Sequence, residues 1–294
     1  MKSIDINDFI ASENVNLKNA PTHIDLGATN KEAKRALKPI RKELAAWQDK
    51  LYAHGKYSVL VCIQGMDTAG KDSLIREVFQ GFNSRGVVVH SFKTPSKNEL
   101  KHDYLWRHYK RLPERGKFGI FNRTHYENVL VTRVHPEYIL NENLPQINSV
   151  KDITPKFWEK RFAEINSFEQ TLVQNGTLIF KFFLHLSKEE QKNRLLRRLH
   201  KPEKNWKFSP GDIEERKLWD NYQDCYQEAI QKTSTLTAPW YIIPSDNKKY
   251  ARYLVAKILF ERLTTFKDVK EPTLPLDIKS ELTNYIKELE QETN

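Results

Sequence analysis

Residues 57–79 read YSVLVCIQGMDTAGKDSLIREVF, and the rest of the chain is interpreted outward from them. Val59, Leu60, Val61, Cys62 and Ile63 form a short apolar run rich in β-branched residues, the pattern of a strand buried on both faces. Gly65 to Lys71 follows as G-x-x-x-x-G-K, and Leu74, Ile75, Val78 and Phe79 then recur at helical spacing. Strand, glycine-bounded loop and helix, in that order, are the context in which such a loop binds phosphate. Gly65 and Gly70 let the backbone approach an anion closely, and the N–H groups of Met66, Thr68 and Ala69 lie between them. The helix start adds a favourable dipole and Lys71 a movable ammonium.

The loop departs from its usual form at one place. Asp72 stands where most such loops carry the Ser or Thr that ligates magnesium, and Ser73 comes one step late. Both are counted among the phosphate-loop residues. A second carboxylate, Asp67, sits inside the loop, where it would repel phosphate unless a cation lay between them. Asp67 is therefore the expected metal ligand, for magnesium, with manganese able to substitute, since hard cations take oxygen donors. The competing reading is that Asp67 only caps the loop backbone.

At 294 residues the chain fits one sizeable domain with appendages, or two small ones. It has no run of about 18 apolar residues, and the first residues, MKSIDINDFIASEN, lack the apolar core of a secretory signal. Its two cysteines, Cys62 and Cys225, exclude a disulfide framework and suit a reducing cytoplasm. Net charge is +10, unevenly placed: residues 271–294 hold six acids and two lysines, a local −4, which leaves +14 on residues 1–270. Such a surface favours a polyanion, whether nucleic acid, anionic membrane or a phosphate polymer. Charge alone does not choose among them.

Residues 1–30 read as an irregular leader. Asn30 is expected to cap a helical prelude over residues 31–55 that Pro39 kinks or divides. Further strands are expected at Val87 to Val89, Lys117 to Asn122, Thr177 to Leu186 and Trp240 to Ile243, with helices between them. These include one at Asn98 to Arg111, a capped helix from SKEEQ at Ser187, and a helix opened by Ser209-Pro210-Gly211-Asp212 whose stripe is Trp219, Tyr222, Tyr226 and Ile230. Lys248 to Leu263 is the last core helix. Residues 271–294 form an acidic C-terminal segment, helical from Leu276 to about Leu289. The alternation predicts an α/β fold, a parallel five-stranded sheet covered on both faces, with ligands bound outside the carboxyl ends of the strands.

At the end of the third strand stands FNRTHYE, residues 121–127. Asn122, Arg123 and Glu127 follow an apolar strand at the level where phosphate chemistry is managed. Arg123 and Glu127, four apart, could also simply pair on a helix. His125 is expected to be structural, because transfer to an already anionic phosphate needs little base catalysis. Two basic clusters flank the site, residues 101–135 and 188–207, each with eight Lys or Arg against three acids. Lys93 at the second strand's exit, Arg133 in the first cluster, and Arg198 and Lys204 in the second are the expected phosphate contacts. The second cluster reads either as a solvated basic face or as a lid over residues 187–215 that excludes water on closing.

The segments GMDTAGKDS, FNRTHYENVLVTRVH and SKEEQKNRLLRRLHKPEKNWKFSPGDIEERKLWDNY, in this order, resemble the polyphosphate kinase 2 family, over roughly residues 30–265. FNRTHYE, rather than an FDR form, resembles its class III branch. The resemblance implies a P-loop kinase-like three-layer α/β/α sandwich over residues 31–270 with a helical lid. It implies magnesium-dependent phosphoryl transfer between inorganic polyphosphate and adenine or guanine nucleotides. It gives Asp67 and Lys71 the loop roles, Asn122 and Arg123 the strand-end roles, Glu127 the class III carboxylate and Arg194 the lid arginine. A homo-oligomer, dimer or tetramer, is expected, with neither nucleic acid nor membrane as partner. An ATP-dependent nucleoside or nucleotide kinase and a non-catalytic polyanion-binding protein are the alternatives.

Overall fold

The computed structural model describes residues 1–292. Its strands are β1 (Ser58–Gly65), β2 (Val87–Ser91), β3 (Phe118–Asn122), β4 (Thr177–His185) and β5 (Trp240–Pro244). They form one sheet in the order β2-β3-β1-β4-β5, with every neighbouring pair parallel. The helices are α1 (Asn30–His54), α2 (Lys71–Val78), α3 (Trp106–Tyr109), α4 (Glu127–Val134), α5 (Pro155–Gln174), α6 (Lys188–His200), α7 (Gly211–Lys217), α8 (Trp219–Thr233), α9 (Lys248–Leu263) and α10 (Leu276–Gln291). The last two residues of the expected 271–294 segment, Thr293 and Asn294, lie outside the described residues. Among the described residues no helix is long and apolar enough to cross a membrane.

Alternation along β1 divides the core. Val59, Val61 and Ile63 pack with Leu37 and Leu44 of α1 and Leu254 and Ile258 of α9. Leu60 and Cys62 face the other way, with Phe121 and Ile179. On that second face α4, α5 and α8 bury Val129, Phe162 and Tyr226 in a common cluster. A central strand buried on both sides must be apolar at every step, which is why β1 reads as a continuous run. Its carboxyl end lies between β3 and β4, where the strand order reverses and a crevice opens.

Local structure departs from the sequence reading at four places. Helix α1 is continuous through Pro39. Pro39 is exposed, so the Arg35 carbonyl that loses its partner faces water, while Ala33, Leu37 and Leu44 hold the helix to the core on either side. Thr29, not Asn30, caps it, in a reciprocal box with Glu32. The expected helix over 98–111 is only a 3-10 turn at Glu99–Lys101 followed by α3. There Asp103 accepts the Leu105 N–H (2.9 Å), a local bond that competes with the helix. The helix expected from Ser209 breaks at Leu218 into α7 and α8. Arg216 ties α7 to α6 through the Lys188 carbonyl and Gln191, whereas Trp219, Tyr222 and Tyr226 anchor α8 in the core.

Candidate active site

The loop after β1 is shaped by its glycines. Gly70 has φ +107° and begins α2, and a Cβ there would sit 3.3 Å from the Lys248 side chain. A Cβ on Gly65 would lie 3.0 Å from Leu184 on the neighbouring strand. Thr68 also has positive φ (66°), a strained conformation for a branched residue. The strain is held from outside by Arg194 of α6. Its five N–H groups go to Glu190 (2.7 Å), the carbonyls of Thr68 (3.0 Å) and Ala69 (2.9 Å), and those of Ser245 (2.7 Å) and Asp246 (2.8 Å). The Gln191 amide donates to the Asp67 carbonyl (3.1 Å). Arg194, the expected lid arginine, is thus buried, with all five N–H groups engaged in bracing the loop. The expected capping box at Ser187 is half formed for the same reason: Ser187 accepts the Glu190 N–H, but the Glu190 carboxylate turns to Arg194.

Lys71 folds back so that its ammonium donates to the Gly65 carbonyl (2.5 Å). Burial and the nearby Arg123 lower its pKa, against the pull of Asp67, Glu127 and Asp72. Arg123 leaves β3 with φ +57°, a second strained residue at the same spot. Its guanidinium reaches Asp67 (3.1 Å) and lies 3.9 Å from Glu127. Burial acts against the Arg123 charge, but Glu127 and Asp67 outweigh it and hold the pKa up. Burial raises the Glu127 pKa, opposed by Arg123 and Lys71. Asn122 donates to Asp72 (2.6 Å) and Ser91 (3.2 Å), while its own side-chain oxygen is buried without a partner, as is the Thr68 hydroxyl. Asp67, Asp72 and Asn122 are oxygen donors lining the same cleft, a chemistry that hard cations take, although no cluster of three carboxylate, imidazole or thiol ligands is formed among the described residues. Ser73 turns its hydroxyl to the Gly70 carbonyl (2.9 Å).

The backbone between Arg123 and Glu127 is pinned from behind by a buried polar network. Glu169 of α5 meets His125 (3.1 Å), the Tyr126 hydroxyl (2.7 Å) and Lys181 of β4 (2.6 Å), and Lys181 also donates to the Thr233 carbonyl (2.6 Å). Burial alone would raise the Glu169 pKa, but Lys181 and His125 bring it below its ordinary value. His125 thus serves the structure.

Two cavities open on either side of Arg123. One, about 330 Å³, is mainly apolar, bounded by Phe92, Pro95, Leu100, Tyr104, Val131 and Tyr138, with Glu127 and Arg123 at its inner end. The buried His108 Nε2 and Thr132 hydroxyl are unpartnered on its wall. Burial, with His125 and Arg107 nearby, holds His108 well below the usual imidazole range. The other, about 540 Å³, is polar and runs between the phosphate loop and the 188–212 segment. Lys71, Arg76, Arg197, Arg198, Lys204, Lys207 and Lys248 line it, with Trp206 at its mouth, 78% exposed. Lys93 and Arg123 belong to both. A small chamber where Asp67, Lys71, Arg123, Glu127, Tyr222 and Tyr226 converge joins them.

The structure therefore brings together the loop residues, Lys93, Asn122, Arg123, Glu127, Arg198 and Lys204. It does not bring in Arg133, which pairs with Glu228 and lies over the Trp158 ring (5.5 Å), packing α4 against α5 and α8. Arg198 faces the cleft but is partly held by Asp212 (3.1 Å). Sequence reasoning missed Arg197, Lys248, His108 and the Gln191 brace. Lys248 lies just past the carboxyl end of β5, and that placement at the ligand-binding edge of a parallel sheet is the signal that could have found it.

The profile of the family described as polyphosphate kinase 2 matches residues 27–271. An ADP-polyphosphate phosphotransferase of Rhodopseudomonas palustris is 45% identical over 264 residues, covering 90% of each chain. An AMP/ADP-polyphosphate phosphotransferase of Meiothermus ruber is 47% identical over 232 residues, 79% of this chain and 81% of that one. The crystal structure of polyphosphate kinase 2 from Arthrobacter aurescens superposes with a TM-score of 0.86 at 35% identity, covering 95% of both chains.

Proposed function

The chain belongs to the polyphosphate kinase 2 family as a polyphosphate:nucleotide phosphotransferase, and from that premise we propose that one site carries AMP to ADP and ADP to ATP, reversibly. The observation that carries this reading is the pair of unlike cavities meeting at Lys71, Arg123 and Glu127. The apolar pocket suits an adenine or guanine base, whose ring edge would meet the unpartnered His108 nitrogen. The basic cleft suits a phosphate chain, which offers charge and nothing else to read. An oxygen of the nucleotide's terminal phosphate attacks the end phosphorus of polyphosphate in line. The new P–O bond forms as the bridging P–O bond breaks, and its electron pair leaves with the shortened chain. Lys71 and Arg123 neutralise charge building on the transferred group, and the attacking oxygen is already anionic, so no general base is required.

Asp67 and Asp72, with the Asn122 oxygen, would hold magnesium, or manganese, which when bound supplies charge neutralisation at the phosphate oxygens. In this reading Arg194 positions the loop whose N–H groups receive the phosphates. The AMP/ADP name of the Meiothermus relative supports use of both acceptors. Support also comes from Glu127, a carboxylate at the start of α4 five residues past Asn122 and 3.9 Å from Arg123, which would let the acceptor phosphate sit in two registers. Incubation with polyphosphate and either AMP or ADP, without ATP, tests it: product from each acceptor is expected, and turnover only with added ATP would return the chain to an ordinary nucleotide kinase.

A further inference from the structure

The sheet is finished differently at its two edges. Along β5 the leader lies across the strand: Ala11 donates its N–H to the Trp240 carbonyl (2.8 Å), and Ile10 bridges to Tyr241. Phe9 and Leu17 are buried there. β2 pairs only with β3 among the described residues, and Val88 and Val89 are 45% and 47% exposed. Such an edge offers a row of unpaired N–H and C=O groups. Proteins usually blunt it with a lysine, a proline, a bulge or a covering helix, and Val87 to His90 carry none of the first two. Basic groups stand beside it, Arg85 over the ring of Tyr52 and Arg111 close enough to His90 to depress its pKa after burial has done so.

Helix α10 has the complementary features and no partner. None of its residues is buried. Ile278, Leu282, Tyr285 and Leu289 are spaced four, three and four apart, the seam of a packing face, and all are exposed. Around them the segment carries its local −4, against +14 on the rest of the chain. We propose that α10 of one chain covers the β2 edge of a second copy, and receives the same cover on its own β2 edge. Two α10 helices packed on each other would set like charges together, whereas helix on edge sets acid against base. Residues 270–275 are exposed throughout and include Pro272 and Pro275, so the helix stands off its own core. A helix of 16 residues is about 24 Å long. A two-fold exchange doubles the contact, towards the roughly 1,200–2,000 Å² of a stable interface.

The test uses the full chain. Light scattering after gel filtration should give a multiple of the chain mass. In Leu282→Lys/Leu289→Lys, whose side chains are exposed in the single chain, the dissociation constant should rise about a hundredfold, with far-ultraviolet circular dichroism unchanged. Arg85→Glu/Arg111→Glu should weaken the assembly in the same direction. Hydrogen exchange of the peptide spanning residues 87–91 should speed up in the tail variant. A monomeric wild type at about 100 µM, well above the dissociation constant of a stable interface, overturns the proposal. So does an assembly indifferent to the tail variant, or one that the tail variant disrupts without altering exchange at 87–91.

Discussion

The two cavities that meet at Arg123 differ in their physics, and on the proposed function they bind by opposite means. In the pocket at β2 and α4, specificity comes from shape and a few unpartnered polar atoms, His108 and Thr132 among mostly apolar walls. In the cleft under α6 it comes from charge, with Arg and Lys side chains on several elements and an open mouth at Trp206. A pocket of the first kind rejects ligands that leave its polar atoms unpaired. A cleft of the second kind accepts any register of a uniform polyanion, which lets a chain of phosphates advance as its end is consumed. On the proposed function, selectivity for the acceptor and tolerance for the donor rest on different elements of one sheet, and should be separable by mutation.

The largest expected effect lies at the junction. Lys71→Met removes the ammonium that lines both the joining chamber and the basic cleft, and such groups contribute several kcal/mol to charge stabilisation at the reacting centre. Turnover should fall by at least about a hundredfold with either acceptor, with the fold intact by circular dichroism. Retention of more than about a tenth of wild-type turnover, a barrier change below about 1.4 kcal/mol, would remove Lys71 from the mechanism. Next comes Glu127→Ala, which should separate the acceptors. If Glu127 serves one acceptor register, the AMP step should drop about tenfold more than the ADP step. If it only orients Arg123, whose guanidinium lies 3.9 Å away, both should drop together.

On the cleft side, Arg197→Ala with Lys204→Ala should raise the polyphosphate KM about tenfold, since each exposed cation is worth up to about 1 kcal/mol. The nucleotide KM should not move, and the salt dependence of polyphosphate binding should become shallower, as fewer counterions are exchanged. A parallel loss in nucleotide affinity would mean that the cavities are not independent.

The asymmetry extends to what the sequence reveals. The junction was legible, because a strand, two glycines and a lysine leave little freedom in the backbone that joins them. Asn122, Arg123 and Glu127 were found for the same reason, as polar residues abruptly following an apolar strand. The apolar pocket was not, since Phe92, His108 and Val131 come from three separate elements whose convergence no local pattern encodes. Arg194 was found, but the backbone it braces was not. A basic helix face looks the same whether its arginine meets phosphate or four backbone carbonyls, and only the fold shows which. Arg133 misled for the same reason, its charge being answered by Glu228 from α8.

The smallest effect, and the sharpest on the cleft, is a pH dependence. Lys248 opens α9 against Gly70, where burial first, then Arg194, Arg197 and Arg252, lower its pKa to about 8. The sign follows from the charge. In the free protein Lys248 loses its proton as pH rises through about 8, and a phosphate chain in the cleft favours the protonated form. Binding therefore takes up a proton above that pH. For a single coupled group the polyphosphate KM should rise by up to about fivefold between pH 8 and 9. The phosphate chain's own ionisation works the other way, because terminal phosphates, with a second pKa near about 6, only gain negative charge as pH rises. An affinity that weakens with pH thus points to the protein. Lys248→Arg, charged throughout, should flatten the profile while keeping affinity at pH 7, and Lys248→Met should flatten it at a weaker affinity. The same rise in Lys248→Arg would place the titrating group elsewhere and leave Lys248 as a spacer beside Gly70.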